Sequence, residues 1–280
     1  MNKIVRKQSL NPTVTLMEIE APFVAKKAEP GQFIILRVDS DGERIPLTVA
    51  DYDREKGTIT IIFQIVGATT ELLNHKNAGE YIEDFVGPLG KPTETEGLKK
   101  VAIVGGGVGC AIAYPVAKKI HSLGATVHSI IGFRNKDLVI LEKEFENAST
   151  KVIKMSDDGS WGEKGLVTDA LSKLIDSGEK YDRVVVIGPL VMMKFVCKLT
   201  EKYGIPTVAS MNPIMIDGTG MCGCCRLTVD GKTKFACVDG PEFDGHKIDF
   251  DEAMKRSRAY ADFEKAKREE TCNLFKKEVK

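Results

Sequence analysis

KKVAIVGGGVG, residues 99–109, decides the fold. Val101 to Val104 are a continuous apolar run, as in a strand buried on both faces of a sheet. The run ends in Gly105, Gly106 and Gly107, with Gly109 just beyond. CAIAYPVAKKIHSLG (110–124) then reads as a helix, despite Pro115. Glycines at a strand-to-helix junction let backbone N–H groups approach a pyrophosphate, and the helix N-terminus favours its charge. Against the strict G-x-G-x-x-G spacing, Cys110 replaces the third glycine. No acidic residue closes the second strand, where Gly132, Phe133 and Arg134 stand instead. The junction is thus either a nucleotide loop or a turn whose glycines serve packing alone.

Alternation continues towards the C-terminus. ATVHSIIGFR (125–134) is a strand, LVILEKEFENA (138–148) a helix and KVIKMSDDG (151–159) a strand. A helix at 165–177, the strand DRVVVIGPL (182–190), the helix VMMKFVCKLTEKYG (191–204) and a last strand, IPTVASM (205–211), complete it. This pattern predicts a parallel sheet covered on both faces. Gly188 and Pro189 fall at its carboxyl edge, where ligands bind, although a plain strand-ending turn explains them equally.

Towards the N-terminus the pattern changes to short β-rich runs: TVTLMEIEAP, QFIILRV, RIPLTVADYD, TITIIFQIV and EYIEDFVG. Pro30-Gly31, Asp41-Gly42 and Lys56-Gly57 punctuate them, which predicts a small antiparallel barrel. LGKPTETEGLKK (89–100) reads as the linker. Arg44, Pro46, Leu47 and Thr48 combine a cation, a proline and a hydroxyl suited to a diphosphate and a flavin ring. Gly67-Ala68-Thr69-Thr70 offers a second phosphate contact. Either strip alone is an ordinary surface turn.

Four of the seven cysteines lie in DGTGMCGCCRLTVDGKTKFAC, 217–237. Cys222 and Cys225 are spaced C-x2-C, and Cys237 returns through a predicted hairpin turning at Asp230-Gly231. The plant-type spacing C-x4-C-x2-C…C puts the first ligand at Asp217. The set Asp217, Cys222, Cys225 and Cys237 therefore suits a 2Fe–2S cluster, with Cys3Asp zinc as the competitor. Cys224 adjoins Cys225 and is expected to be a bystander, although a swap with Cys222 stays open. The histidines (His75, His121, His128, His246) show no ligand spacing.

Composition narrows the classes. Lys+Arg and Asp+Glu are both 40, so no charge footprint points to nucleic acid or an anionic membrane. No apolar run is long enough to span a bilayer, and the start lacks a signal-type core. A cytoplasmic protein is expected, with thiolates serving metals rather than disulfides.

Taken in order, Arg44-x-Pro46-Leu47-Thr48, Gly67-x-x-Thr70, Gly87-Pro88-Leu89-Gly90, the 105–109 glycines, Gly188-Pro189 with Met192-Met193, and the cysteine segment resemble the ferredoxin–NADP reductase superfamily. Within it, the cysteine segment looks like that of the dihydroorotate dehydrogenase electron-transfer subunit. That subunit carries cysteine where this chain has Asp217, and usually arginine where it has Gln64. The Asp form looks most like the small (alpha) subunit of NADH-dependent reduced ferredoxin:NADP oxidoreductase, also called sulfide dehydrogenase beta subunit.

The resemblance implies an oxidoreductase subunit in four parts: an FAD barrel (1–97), an NAD-binding α/β domain (98–210), a 2Fe–2S segment (211–245) and a helical tail (246–280). It implies FAD on Arg44, Pro46, Leu47, Thr48, Gln64, Val66, Gly67 and Thr70. It implies NAD(H) on Gly105, Gly106, Gly107, Gly109, Gly188 and Pro189. Arg134 leaves NADP(H) open. A larger partner is implied, similar to the glutamate synthase small subunit and carrying its own FAD and 4Fe–4S clusters, with ferredoxin served through that complex. A dihydroorotate dehydrogenase subunit is one alternative; a zinc-clasped nucleotide-binding protein is another.

Overall fold

A computed structural model describes residues 1–278; residues 279–280 of the expected tail lie outside it. The N-terminal part contains β1 (Asn2–Asn11), β2 (Val14–Glu20), α1 (Pro22–Ala25), β3 (Phe33–Arg37), β4 (Arg44–Asp53), β5 (Thr58–Gln64), α2 (Ala68–His75), β6 (Tyr81–Ile82) and β7 (Asp84–Leu89). All its strand pairs are antiparallel, in the order β6-β1-β2-β5-β4-β3-β7. β6 pairs with one edge and β7 with the other, so residues 81–89 bring a nearly closed barrel round on itself. The buried side chains of β2, β3 and β5, among them Met17, Ile34 and Ile61, fill its interior.

Two elements here were not expected. β1 is charged and mostly exposed, with Ile4 its one buried residue, so it carries little alternation. The strip Gly67-Ala68-Thr69-Thr70 is not a plain turn but the start of α2. Thr70 Oγ1 accepts from Val66 N–H and Gly67 N–H, both at 3.0 Å, and closes that start.

The α/β part contains β8 (Lys100–Gly106), α3 (Cys110–Ser122), β9 (Thr126–Phe133), α4 (Glu142–Asn147), β10 (Lys151–Ser156), β11 (Glu163–Lys164), α5 (Val167–Asp176), β12 (Arg183–Ile187), α6 (Leu190–Lys202) and β13 (Thr207–Ser210). α3 runs through Pro115 unbroken. α4 is shorter than the predicted helix at 138–148. Leu141 takes a left-handed φ of 57°, which separates α4 from the chain before it.

The remaining elements are β14 (Arg226–Val229), β15 (Lys232–Phe235), β16 (Glu242–Asp244), α7 (Phe250–Arg256) and α8 (Ala261–Glu278). The large sheet has the order β11-β10-β9-β8-β12-β13-β16. It is parallel except for β16, which lies antiparallel on β13. The predicted last strand is therefore not the edge. After β10 the chain crosses to β12 on the far side of β8. The crevice between the carboxyl ends of β8 and β12 is thus the topological switch point.

One apolar core joins the regions. Phe33 and Ile35 of the barrel pack in the same cluster as Val104 of β8 and Cys225, Leu227 and Cys237 of the cysteine segment. That segment is part of the core, not an appendage. A second cluster packs Val14, Ala50 and Ile62 against α3, and Lys118 reaches across to Asp51 at 2.8 Å.

Candidate cofactor-binding site

A cavity of about 2600 Å³ opens between barrel, sheet and cysteine segment. Ordinary small-ligand pockets are about 300–1,000 Å³, so this one has room for more than one dinucleotide. Every expected flavin and nucleotide residue lines it except Gly105. A Cβ at Gly105 would meet Cys110 Sγ at 2.9 Å, so that glycine serves the turn.

The glycine junction divides its labour. Gly107 has φ +55°, and a Cβ there would meet nothing within 4 Å, so its backbone lies open. A Cβ at Gly109 would meet Ile187 O at 2.6 Å and Gly188 Cα at 2.7 Å. Gly109 thus supplies the close helix–strand approach that the strict spacing assigns to its third glycine. Cys110 is fully buried, and burial pushes its thiol far up, so it packs rather than reacts.

On the barrel side, Leu47 and Thr48 are held in the ladder opposite Ile34 and Phe33. Gln64 closes β5 opposite Val14. The first turn of α2 lines the same wall, and the leading N–H groups of a helix lack intrahelical partners. Arg44 lies 3.4 Å from Asp84, whose carboxyl is held below its usual range chiefly by the hydrogen bond from Arg37. Arg44 Nε also donates to Ile216 O at 2.9 Å, across 172 residues of sequence. A fixed cation beside open helix N–H groups fits a flavin diphosphate.

The expected hairpin forms, with Asp230 at φ 52° and Gly231 at φ 68° between β14 and β15. It brings Cys237 Sγ to 3.2 Å from Cys225 Sγ, both buried. Burial first, then the hydrogen bond with Cys225, pushes the Cys237 thiol up to about 12. Gly218, Gly220 and Gly223 all have positive φ and wrap the preceding turn. Asp217 accepts from Thr219 Oγ1 at 2.6 Å and Cys222 N–H at 2.7 Å. The Cys222 thiol leads the contacts that hold its carboxyl far below the usual range. Cys224 is not remote from the other thiols: burial first, then its Cys222 and Cys225 neighbours, push its thiol up. The direct contacts are thus Cys225 with Cys237, and Asp217 with the backbone of Cys222. Among the described residues, no three His, Cys, Asp or Glu side chains converge on one metal-ion position.

Sequence reading missed two features of this site. Asp157 lines the cavity just after β10, and its N–H donates to Phe133 O beside Arg134. The carboxyl-edge rule, applied to the third strand, would have found it. The Arg44–Ile216 bond has no sequence signal, since it is a backbone carbonyl that accepts.

A family model described as the iron–sulfur cluster binding domain of dihydroorotate dehydrogenase B matches residues 212–249. One described as an oxidoreductase NAD-binding domain matches 103–198. An uncharacterized protein from the adh 3′ region of Clostridium beijerinckii is 53% identical over 93% of this chain and 90% of its own length. A homolog of the dihydroorotate dehydrogenase B (NAD(+)) electron transfer subunit from Thermotoga maritima is 47% identical over 95% of this chain and 93% of its own. A solved chain of NADH-dependent reduced ferredoxin–NADP oxidoreductase, studied for flavin-based electron bifurcation, superposes with a TM-score of 0.92. It is 45% identical and covers 96% of this chain and 97% of its own. With the barrel, an NAD-binding domain and an iron–sulfur segment in this order, the chain belongs to the family of dihydroorotate dehydrogenase B electron-transfer subunits and their homologues, within the ferredoxin–NADP reductase superfamily.

Proposed function

We propose that this chain is the NAD-linked arm of a flavin and iron–sulfur oxidoreductase, carrying electrons between NAD(H), FAD and a 2Fe–2S cluster. One observation carries the reading: the barrel strip, the glycine loop and the cysteine segment, through Ile216 and Cys224, all line one cavity. When bound, the cofactors would supply hydride exchange between nicotinamide and flavin and single-electron exchange with the cluster. The protein supplies position. Arg44 and the first turn of α2 would hold the flavin diphosphate, and Pro46, Leu47, Thr48, Gln64 and Val66 would border the rest of the flavin. Gly106, Gly107 and Gly109, with Gly188 and Pro189 opposite, would admit the nicotinamide nucleotide. Arg134 and Asp157 would face the ribose at which NAD(H) and NADP(H) differ, and we assign NAD(H) as the carrier.

Asp217, Cys222, Cys225 and Cys237 are the proposed cluster ligands. The plant-type spacing and the iron–sulfur family match over 212–249 support two irons over one zinc. A 2Fe–2S cluster takes two protein ligands on each iron, whereas zinc needs four donors about one point. Asp217 with Cys222 would serve one iron, and Cys225 with Cys237 the other.

The likeness to the ferredoxin–NADP oxidoreductase chain over nearly its whole length supports a larger partner. That partner would resemble the glutamate synthase small subunit, with FAD and 4Fe–4S clusters, and would serve ferredoxin in a bifurcating complex. The match at 212–249 favours a second reading, a dihydroorotate dehydrogenase partner. Absorption spectra and metal analysis of the purified chain test the core of the proposal. Flavin bands, a broad iron–sulfur absorbance and iron in place of zinc are expected. A colourless zinc protein would sink it.

A further inference from the structure

Helix α8 packs against α2, on the flavin side of the cavity. Tyr260, Phe263, Glu264, Lys267 and Glu270 line the cavity wall. Glu264 N–H donates to Tyr260 O at 2.9 Å, so helical bonding already begins at Tyr260. Steps of three and four residues then set these five side chains on one face. Tyr260 is 58% exposed and Phe263 76%, unusual for two large rings so close together. Aromatics facing an open cavity rather than a core mark a surface that a ligand covers.

The charges say which part of a ligand. Lys267 is paired with Glu270 at 3.0 Å, and Glu264 stands beside them, so the face does not attract a diphosphate. Rings flanked by carboxylates suit an aromatic base and a sugar, where the rings stack and the carboxylates accept from amino and hydroxyl groups. The glycine loop lies across the cavity on the α/β sheet, whereas α2, the neighbour of α8, follows Gly67 directly and carries Thr70.

We infer that α8 clamps the adenosine half of FAD, with Tyr260 and Phe263 stacking on the adenine. The inference rests on the proposed flavin site. It is tested on the full chain stripped of flavin, titrated with FAD and separately with FMN, which has the same ring system but no adenosine. The parent should prefer FAD. The double variant Tyr260→Ala/Phe263→Ala should bind FAD roughly tenfold to a hundredfold more weakly, from base–aromatic stacking lost, and FMN unchanged. Tyr260→Phe/Phe263→Tyr should restore the preference. FAD affinity unchanged in the alanine variant, or FAD and FMN affinities falling together, would overturn the clamp. A parent that binds neither flavin would overturn the flavin site itself.

Discussion

The glycine junction at 105–109 and the turn at 217–223 both run through left-handed backbone, with Gly107 at φ 55° and Gly218 and Gly220 at φ 80° and 88°. Different things hold them there. The junction hangs between two ladders, with Gly105 opposite Ile187 and Gly106 opposite Gly132, and Gly109 packs directly on the end of β12. Among the described residues the turn has no strand partner. It is gathered by one carboxylate, Asp217, which accepts from Thr219 and Cys222. A glycine junction built by the sheet keeps its shape through strand pairing and packing. A cluster turn built by its own donors depends on keeping them.

The largest expected effect follows from that dependence. Cys225→Ala removes a buried thiol that joins the hairpin to Cys237, and iron content should fall by an order of magnitude or more. Asp217→Cys should keep the iron, because it restores an all-thiolate set at the same position. Equal iron in the Cys225→Ala protein and the parent would remove that thiol from the site.

Gly107→Val acts on the opposite region. Its side chain projects into open space and strains a positive φ, so the nucleotide is excluded while the sheet remains. NADH should no longer reduce the flavin, whereas dithionite still should. Gly109→Ala should differ in kind. Its Cβ meets Ile187 O at 2.6 Å, so it should lower folding stability by roughly 1–3 kcal/mol. Stability loss at Gly107 alone, with NADH reduction intact, would reverse these roles.

This contrast also explains what the sequence could tell. The sheet was legible because VAIV and RVVVI are continuous apolar strands, and their carboxyl edges fix where a ligand sits. The hairpin was legible because Asp230-Gly231 demands one turn type. β16 was not, since Glu242–Asp244 is three residues long and too short to alternate. β1 was not, because only Ile4 is buried. The place of Cys224 relative to Cys222 was not legible, because the left-handed turn at Gly223 between them has no signal beyond the glycine itself. The aromatic face of α8 reads as a charged tail until α2 is placed beneath it.

Arg44 tests whether the two regions speak to each other through the flavin site. Arg44→Ala removes the charge-assisted contact proposed to the diphosphate, worth about 1.5–3 kcal/mol, so FAD should bind roughly ten- to a hundredfold more weakly. It also frees Ile216 O, next to Asp217, so iron should be lost faster to a chelator than in the parent. Arg44→Lys keeps the charge but not the fork, and should rescue less than half of either effect. Full FAD retention in the alanine protein would count against the assignment.

The smallest expected effect lies where the cysteine segment rejoins the sheet. Glu242 of β16 accepts from Thr93 Oγ1 at 2.6 Å, and Thr93 N–H donates to Pro30 O. The linker between barrel and sheet is thus pinned to the strand that follows the cluster hairpin. Burial pushes the Glu242 carboxyl up from 4.5 to about 7, against the lowering pull of the Thr93 hydroxyl and of Arg183. A raised carboxyl favours the fold while it is protonated. Its contribution is full below about pH 4.5 and is lost as the pH rises through about 7. Between pH 5 and pH 8 the chain should therefore lose on the order of 2 kcal/mol through this group. Glu242→Gln keeps an oxygen for Thr93 and cannot ionise, so denaturant unfolding of that variant should lack this part of the slope. Parallel pH profiles for the two proteins would show that Glu242 does not carry it, and that the junction of linker and cluster segment is held by packing alone.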